Sequence, residues 1–133
     1  MSDIGSNWSK WSPTLLSLLR IIVGFLYIEH GSMKLFGFPG AGDHKVELMS
    51  LFGLAGVLEL FGGALILLGL FTRPVAFILS GEMAFAYFMV HAPQGFWTIA
   101  NQGEAAVFYC FVFLYFSAAG AGPWSLDRAM RKV

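Results

Sequence analysis

The chain has 133 residues, 57% of them hydrophobic and only 12% charged, a balance that excludes an ordinary soluble domain and points to a membrane protein. Its formal net charge is zero, which gives no electrostatic basis for binding nucleic acid. One cysteine, Cys110, excludes dithiol chemistry within a single chain and any Cys-clustered metal site. It reads as a small lipid- or core-facing side chain.

Four apolar stretches follow in order, at 15–36, 51–71, 75–91 and 105–121. Each approaches the roughly 20 residues that a helix needs to cross a hydrocarbon core. They leave no room for a separate soluble domain, so 1–133 is read as one all-α membrane domain, a bundle of four transmembrane helices. Lys10 and Arg20 could form the basic start of a signal peptide, but the first apolar run continues to Phe36 without a small-residue cleavage site. It is read as a retained first helix.

The loop at 37–50 holds one basic residue, Lys45, and a His44 beside Asp43 that reads as solvated. Thr72-Arg73-Pro74 makes a very short turn, with Pro74 suited to the first position of the third helix, so the second and third helices are antiparallel neighbours. The loop at 92–103 carries no basic residue, and its Phe96 and Trp97 suit a membrane interface, as do Trp8, Trp11 and Trp124. Asn101 and Glu104 have the spacing of a capping box, with Asn101 as the N-cap of the fourth helix. The segment 125–132 reads as a short amphipathic helix on the inner surface, with Ser125 as its N-cap. Lys10, Arg20, Arg73, Arg128, Arg131 and Lys132 all fall on one side, which the positive-inside rule makes the cytoplasm. Both termini are therefore inside.

Ionisable groups inside these spans carry the functional signal. A charge at mid-bilayer costs at least about 2.5–3.5 kcal/mol, so such groups face one another or a cavity. Counting depth by helix rise puts Arg20 level with Glu82, and Glu59 level with Glu29 and His30. An inner Arg20–Glu82 structural ion pair is expected, and an outer cluster of Glu59, His30 and Lys34, with Glu29 and His91 as additional members. The plainer explanation is that polar pairs merely fasten helices. It suits Arg20–Glu82, because arginine does not change protonation, better than the outer cluster, where histidine and carboxylates can exchange protons. A metal or haem held by His30 and His91 is the sharper alternative, but no Glu-x-x-His pair occurs, so the di-iron pattern of carboxylate bundles is absent. Small residues stud the second span at Gly53, Gly56, Gly62, Gly63 and Gly69, the signature of close helix packing within or between subunits. Aromatic residues crowd the third and fourth spans. Most suit lipid or core, yet an aromatic wall beside a His–carboxylate cluster also suits a quinone ring.

Along nearly its whole length the chain resembles the DoxX family of small four-helix bacterial membrane proteins. The resemblance rests on Leu19-Arg20, His30-Gly31-x-x-Lys34-Leu35-Phe36-Gly37, Glu59-Leu60-Phe61-Gly62-Gly63 and Leu68-Gly69-Leu70-Phe71-Thr72-Arg73. It continues in Ala86-Tyr87-Phe88-x-x-His91, Phe96-Trp97, Asn101-x-Gly103-Glu104 and Gly122-Pro123-Trp124-Ser125-Leu126-Asp127. Two departures are Glu29, where an apolar or aromatic residue is expected, and Trp124, where relatives often have a second glycine. The resemblance implies an inner-membrane protein connected to redox chemistry and acting with other subunits; relatives have been linked to thiosulfate:quinone oxidoreductases and to oxidative-stress complexes.

The sequence is therefore read as a small subunit of a quinone-linked oxidoreductase complex in the bacterial inner membrane. His30 and Glu59 would exchange protons, Lys34 would set their charge, and quinone is the one cofactor suggested. Its partners would be the bilayer and redox subunits, and it could form homo-oligomers. The rivals are a proton- or solute-conducting homo-oligomer and a non-catalytic assembly or anchoring subunit.

Overall fold

A computed structural model describes residues 3–39 and 49–131. The expectations for Asp43, His44, Lys45 and Lys132 lie outside the described residues. Among those described there are helices and no strands. They are α1 (Asp3–Ser9), α2 (Ser12–Phe36), α3 (Leu51–Leu68), α4 (Thr72–Ala86), α5 (Thr98–Asn101), α6 (Glu104–Ala119) and α7 (Leu126–Arg131). Helix α4 continues through a π-helical turn, Tyr87–His91, and a 3₁₀ turn, Ala92–Gln94. Ser12–Phe36, Leu51–Leu68 and Thr72–Gln94 are long and apolar enough to cross a membrane, and Glu104–Ala119 is a shorter apolar helix. Large side chains such as Ile22, Phe25, Phe61, Phe77, Phe108 and Phe111 lie exposed on their outer faces. Such a surface suits contact with lipid.

Helix α3 lies along α2, and α4 along α6, far more extensively than α3 meets α4. The first pairing depends on small residues. A Cβ at Gly24 would stand 2.6 Å from Leu67 N, so the α2 and α3 backbones could not approach with any side chain there. Gly56 and Gly63 sit against Lys34, Leu35 and Ile28 of α2, which places the small-residue stripe of α3 on the α2 side. The space between α2 and α6 is filled by rings instead: Tyr27 is 4.8 Å from Phe113, edge to face. Ile66, Ala76, Leu79, Phe113 and Phe116 form a fully buried apolar core.

Below that core the ends of the helices are tied together by polar side chains. Arg20, fully buried, donates from Nη1 to Ile66 O and Leu67 O at 2.9 Å each. Its Nε donates to Ala121 O at 2.9 Å, and Nη2 donates to Trp124 O. It thus closes the C-terminal carbonyls of α3 and grips the segment after α6. The expected Arg20–Glu82 pair is not formed. Tyr27, seven residues on, is the residue level with Glu82, so Arg20 lies about 10 Å nearer the inner end. At its own level the carbonyls are the nearest acceptors.

The turn between α3 and α4 is held by Asp127. Its oxygens accept from Phe71 N at 2.7 Å and Thr72 N at 2.9 Å, and its own N–H donates to Gly69 O at 2.8 Å. Phe71 has φ +53°, a left-handed conformation costly for a side chain of that size. Asp127 offsets the cost and satisfies the first donors of α4, which begins at Thr72 rather than at Pro74. Ser125 Oγ accepts from Arg128 N at 3.1 Å, the N-cap read from the sequence. Asn101, by contrast, does not cap α6. That helix starts at Glu104 with Gly103 before it, and Asn101 Oδ1 accepts from Gly103 N at 2.8 Å. Asn101 closes the preceding turn, because the helix that it belongs to is α5.

Lysine cannot reproduce the four-acceptor fork of Arg20. Arg20→Lys should cost about 2–3 kcal/mol of stability, read as thermal unfolding in detergent; an unchanged midpoint would refute the clamp. Burial disfavours ionised Asp127, but the donors on Thr72 and Phe71, with Arg131 near, outweigh it and hold its carboxyl below the usual range. A depressed carboxyl stabilises fully above the unfolded value, about 3.9, and that stabilisation is lost as pH falls through the folded value. The wild type should therefore lose melting temperature below about pH 4 more steeply than Asp127→Asn. Parallel curves would overturn the assignment.

Candidate functional site

Four helices converge on a polar cluster in the outer half of the bundle. Helix α3 contributes Glu59, whose side chain is 2% exposed, and α2 contributes Lys34, 24% exposed, with Nζ 2.8 Å from Glu59 Oε1. The ammonium also lies 5.6 Å from the centre of the Phe52 ring, within cation–π range. Lys34 reaches Glu59 because it shares the Gly24, Tyr27, Gly31 stripe of α2. Tyr27 on that stripe donates from its hydroxyl to Glu82 Oε1 of α4 at 2.6 Å.

Glu59 and Glu82 border the same cavity, and Glu82 Oε2 is buried without a donor among the described residues.

Helix α6 adds Tyr109, whose ring stands 5.1 Å from Tyr27 and 5.5 Å from His30. His30 is exposed and has no hydrogen bond among the described residues. It belongs to the rim of the site and not to the Glu59–Lys34 pair, because its position turns it toward α6. Glu29 is half-buried, with no hydrogen bond or ion pair among the described residues. His91 ends the π-helical turn, and its Nδ1 lies 3.0 Å from Asn101 O. A carbonyl can only accept, so Nδ1 carries a proton. Asn101, fully buried, holds this corner by donating to Gly95 O at 2.9 Å and to the Tyr87 hydroxyl at 3.2 Å.

These groups border a cavity of about 640 Å³. Tyr27, His30, Lys34, Glu59, Glu82, His91 and Tyr109 supply its polar edge, and Phe52, Leu58, Met83, Phe85, Met89 and Val90 its apolar walls. An apolar cavity with a few convergent polar groups is the usual form of a small-molecule site. Among the described residues no group of three or more His, Cys, Asp or Glu could hold a metal ion.

The sequence-derived site is thus divided. Lys34 and Glu59 meet, His30 and His91 stand at the same cavity without joining that pair, and Glu82 belongs here instead of with Arg20. Tyr27 and Tyr109 were not singled out as site residues. The signal for Tyr27 lay in its stripe; Tyr109 and the π-helical turn, a feature frequent at functional sites, had none.

The DoxX family model matches residues 15–92, which include every group of the cluster except Tyr109. An uncharacterized protein of Haemophilus influenzae is 46% identical over 134 residues, covering 96% of this chain and 98% of its own. The uncharacterized membrane protein Rv3486 of Mycobacterium tuberculosis is 26% identical, covering 99% and 95%. The inner membrane protein YphA of Escherichia coli is 30% identical, covering 87% and 90%. No solved structure gives a significant match.

Removing Lys34 leaves Glu59 without its counter-charge. Lys34→Met should cost about 2 kcal/mol or more in a detergent unfolding assay, and adding Glu59→Gln should recover most of that loss. Additive losses would mean that the two side chains are not coupled.

Proposed function

Because the chain belongs to the DoxX family and is a multi-pass protein of the bacterial inner membrane, we propose that its outer cavity binds the ring of a membrane quinone. In this reading the chain is a small subunit of an oxidoreductase complex. The supporting observation is the Glu59–Lys34 ion pair and the Tyr27–Glu82 hydrogen bond set in the wall of an apolar cavity. A quinone needs flat apolar walls, donors for two carbonyl oxygens, and two protons for each pair of electrons. Phe52, Met83 and Met89 supply walls, and methionine adapts well to ring edges. The Lys34 ammonium supplies donors. A proton on Glu59 or Glu82 would be the one nearest to hand, and His30 and His91 at the rim would renew it. Electrons would come from a partner subunit.

Conduction fits less well. Between the cluster and the inner end lie Ile66, Leu79, Phe113 and Phe116, all fully buried. Arg20 beyond them is committed to carbonyls. Among the described residues the polar cluster therefore has no inward continuation.

A short-tailed ubiquinone analogue titrated into the detergent-purified protein should bind at least about tenfold more weakly to Glu59→Gln/Lys34→Met than to the wild type. That double variant removes both members of the ion pair together and leaves neither charge without its partner, so folding is retained. Equal affinity would sink the proposal, as would unchanged electron transfer to quinone in membranes holding a correctly inserted His30→Ala/Glu59→Ala protein.

A further inference from the structure

At the inner end, away from the quinone cavity, a second cleft of about 820 Å³ lies among the start of α2, the α3–α4 turn and α7. Arg73, Arg128 and Arg131 line it, all three exposed. We propose that this cleft holds the phosphate headgroup of an anionic phospholipid of the cytoplasmic leaflet.

The charge is unbalanced and available. Asp127 is the only carboxylate among the cleft residues, so three guanidinium groups against one carboxylate leave two positive charges. Both Asp127 oxygens already accept from Phe71 N and Thr72 N. Its charge faces Arg131 and Arg20. Arg128 and Arg131 make no side-chain hydrogen bond or ion pair among the described residues. Arg73 is pre-positioned: its Nη1 donates to Ser117 O at 3.4 Å and also to Ala118 O, at the C-terminus of α6. The guanidinium lies over Gly120, φ +85°, where a Cβ would come 3.0 Å from Nη2. Nε and Nη2 keep their donors for a ligand, in the forked geometry that suits phosphate.

Apolar surface decides for a lipid over a free anion. Leu16, Phe71, Tyr115 and Met130 wall the same cleft. Phe71 is 58% exposed, and Phe77, six residues on in α4, is 64% exposed. A headgroup held by the arginines therefore has an apolar track for its acyl chains. Basic pockets between helices on the cytoplasmic side are where such headgroups bind.

The test is native mass spectrometry of the full-length protein after equilibration with mixed phosphatidylcholine and phosphatidylglycerol vesicles. The wild type should retain phosphatidylglycerol in preference to phosphatidylcholine. Arg128→Gln/Arg131→Gln, which removes no contact within the fold other than the charge near Asp127, should lower that retention about fivefold for each arginine removed. Arg73→Gln should do the same, and the first variant keeps the test valid if the second unfolds. Equal retention of both lipids by the wild type would overturn the proposal, as would phosphatidylglycerol retention that the arginine variants leave unchanged. Complete displacement by millimolar inorganic phosphate would assign the cleft to a soluble anion and overturn the lipid reading.

Discussion

In hydrocarbon every polar group must find its partner inside the protein, and in this chain the demand is met most fully by Arg20. Its guanidinium takes four backbone carbonyls, two at the end of α3 and two beyond α6. An arginine bonded only to carbonyls keeps its charge partly uncompensated. Here the C-terminal end of α3, with its negative dipole end, and the Asp127 carboxylate supply the balance. Asp127 is in turn fixed to the α3–α4 turn. Arg20 and Asp127 therefore join residues more than 100 positions apart and define the inner end of the molecule.

That rigid end determines what the outer end can do. Helices α3 and α4 are held close by a turn of three residues, Gly69–Phe71, while each packs more extensively on a different neighbour. The outer halves of α3 and α4 consequently border a cavity instead of a seam. Inward of it the rings of Phe113 and Phe116 are fully buried, and the π-helical turn contributes Met89, Val90 and His91 to its lining. The polar groups sit where the packing is incomplete, which is where a ligand can reach them.

The spans and their order were legible because apolar length is a strong signal. Lys34–Glu59 was legible for a related reason: each lies on the interior stripe of its helix near one depth, and opposite charges in lipid seek each other. Arg20–Glu82 was not. Depth counting treats side chains as the sole partners, whereas the end of α3 offered Arg20 carbonyls closer at hand. Asn101 misled for a similar reason, since a capping-box spacing does not reveal that a short helix, α5, occupies the residues before it. The π-helical turn follows from the fit of Tyr87, His91 and Asn101 in space, and no periodicity in the sequence encodes it.

The separation of the two ends has a consequence for the proposed chemistry. The cluster is bordered inward by apolar side chains and Arg20, and outward by His30 and His91 at the cavity rim. A quinone reduced in this cavity would therefore take its protons from the outer side of the membrane. Electrons delivered by a subunit on the cytoplasmic face would have to cross the apolar inner half to meet them. A donor that docks near the outer loops avoids that distance. If the proposed quinone reading holds, the reactive group of its redox partner would lie in the outer half of the membrane, beside α3 and α4, which line the cavity.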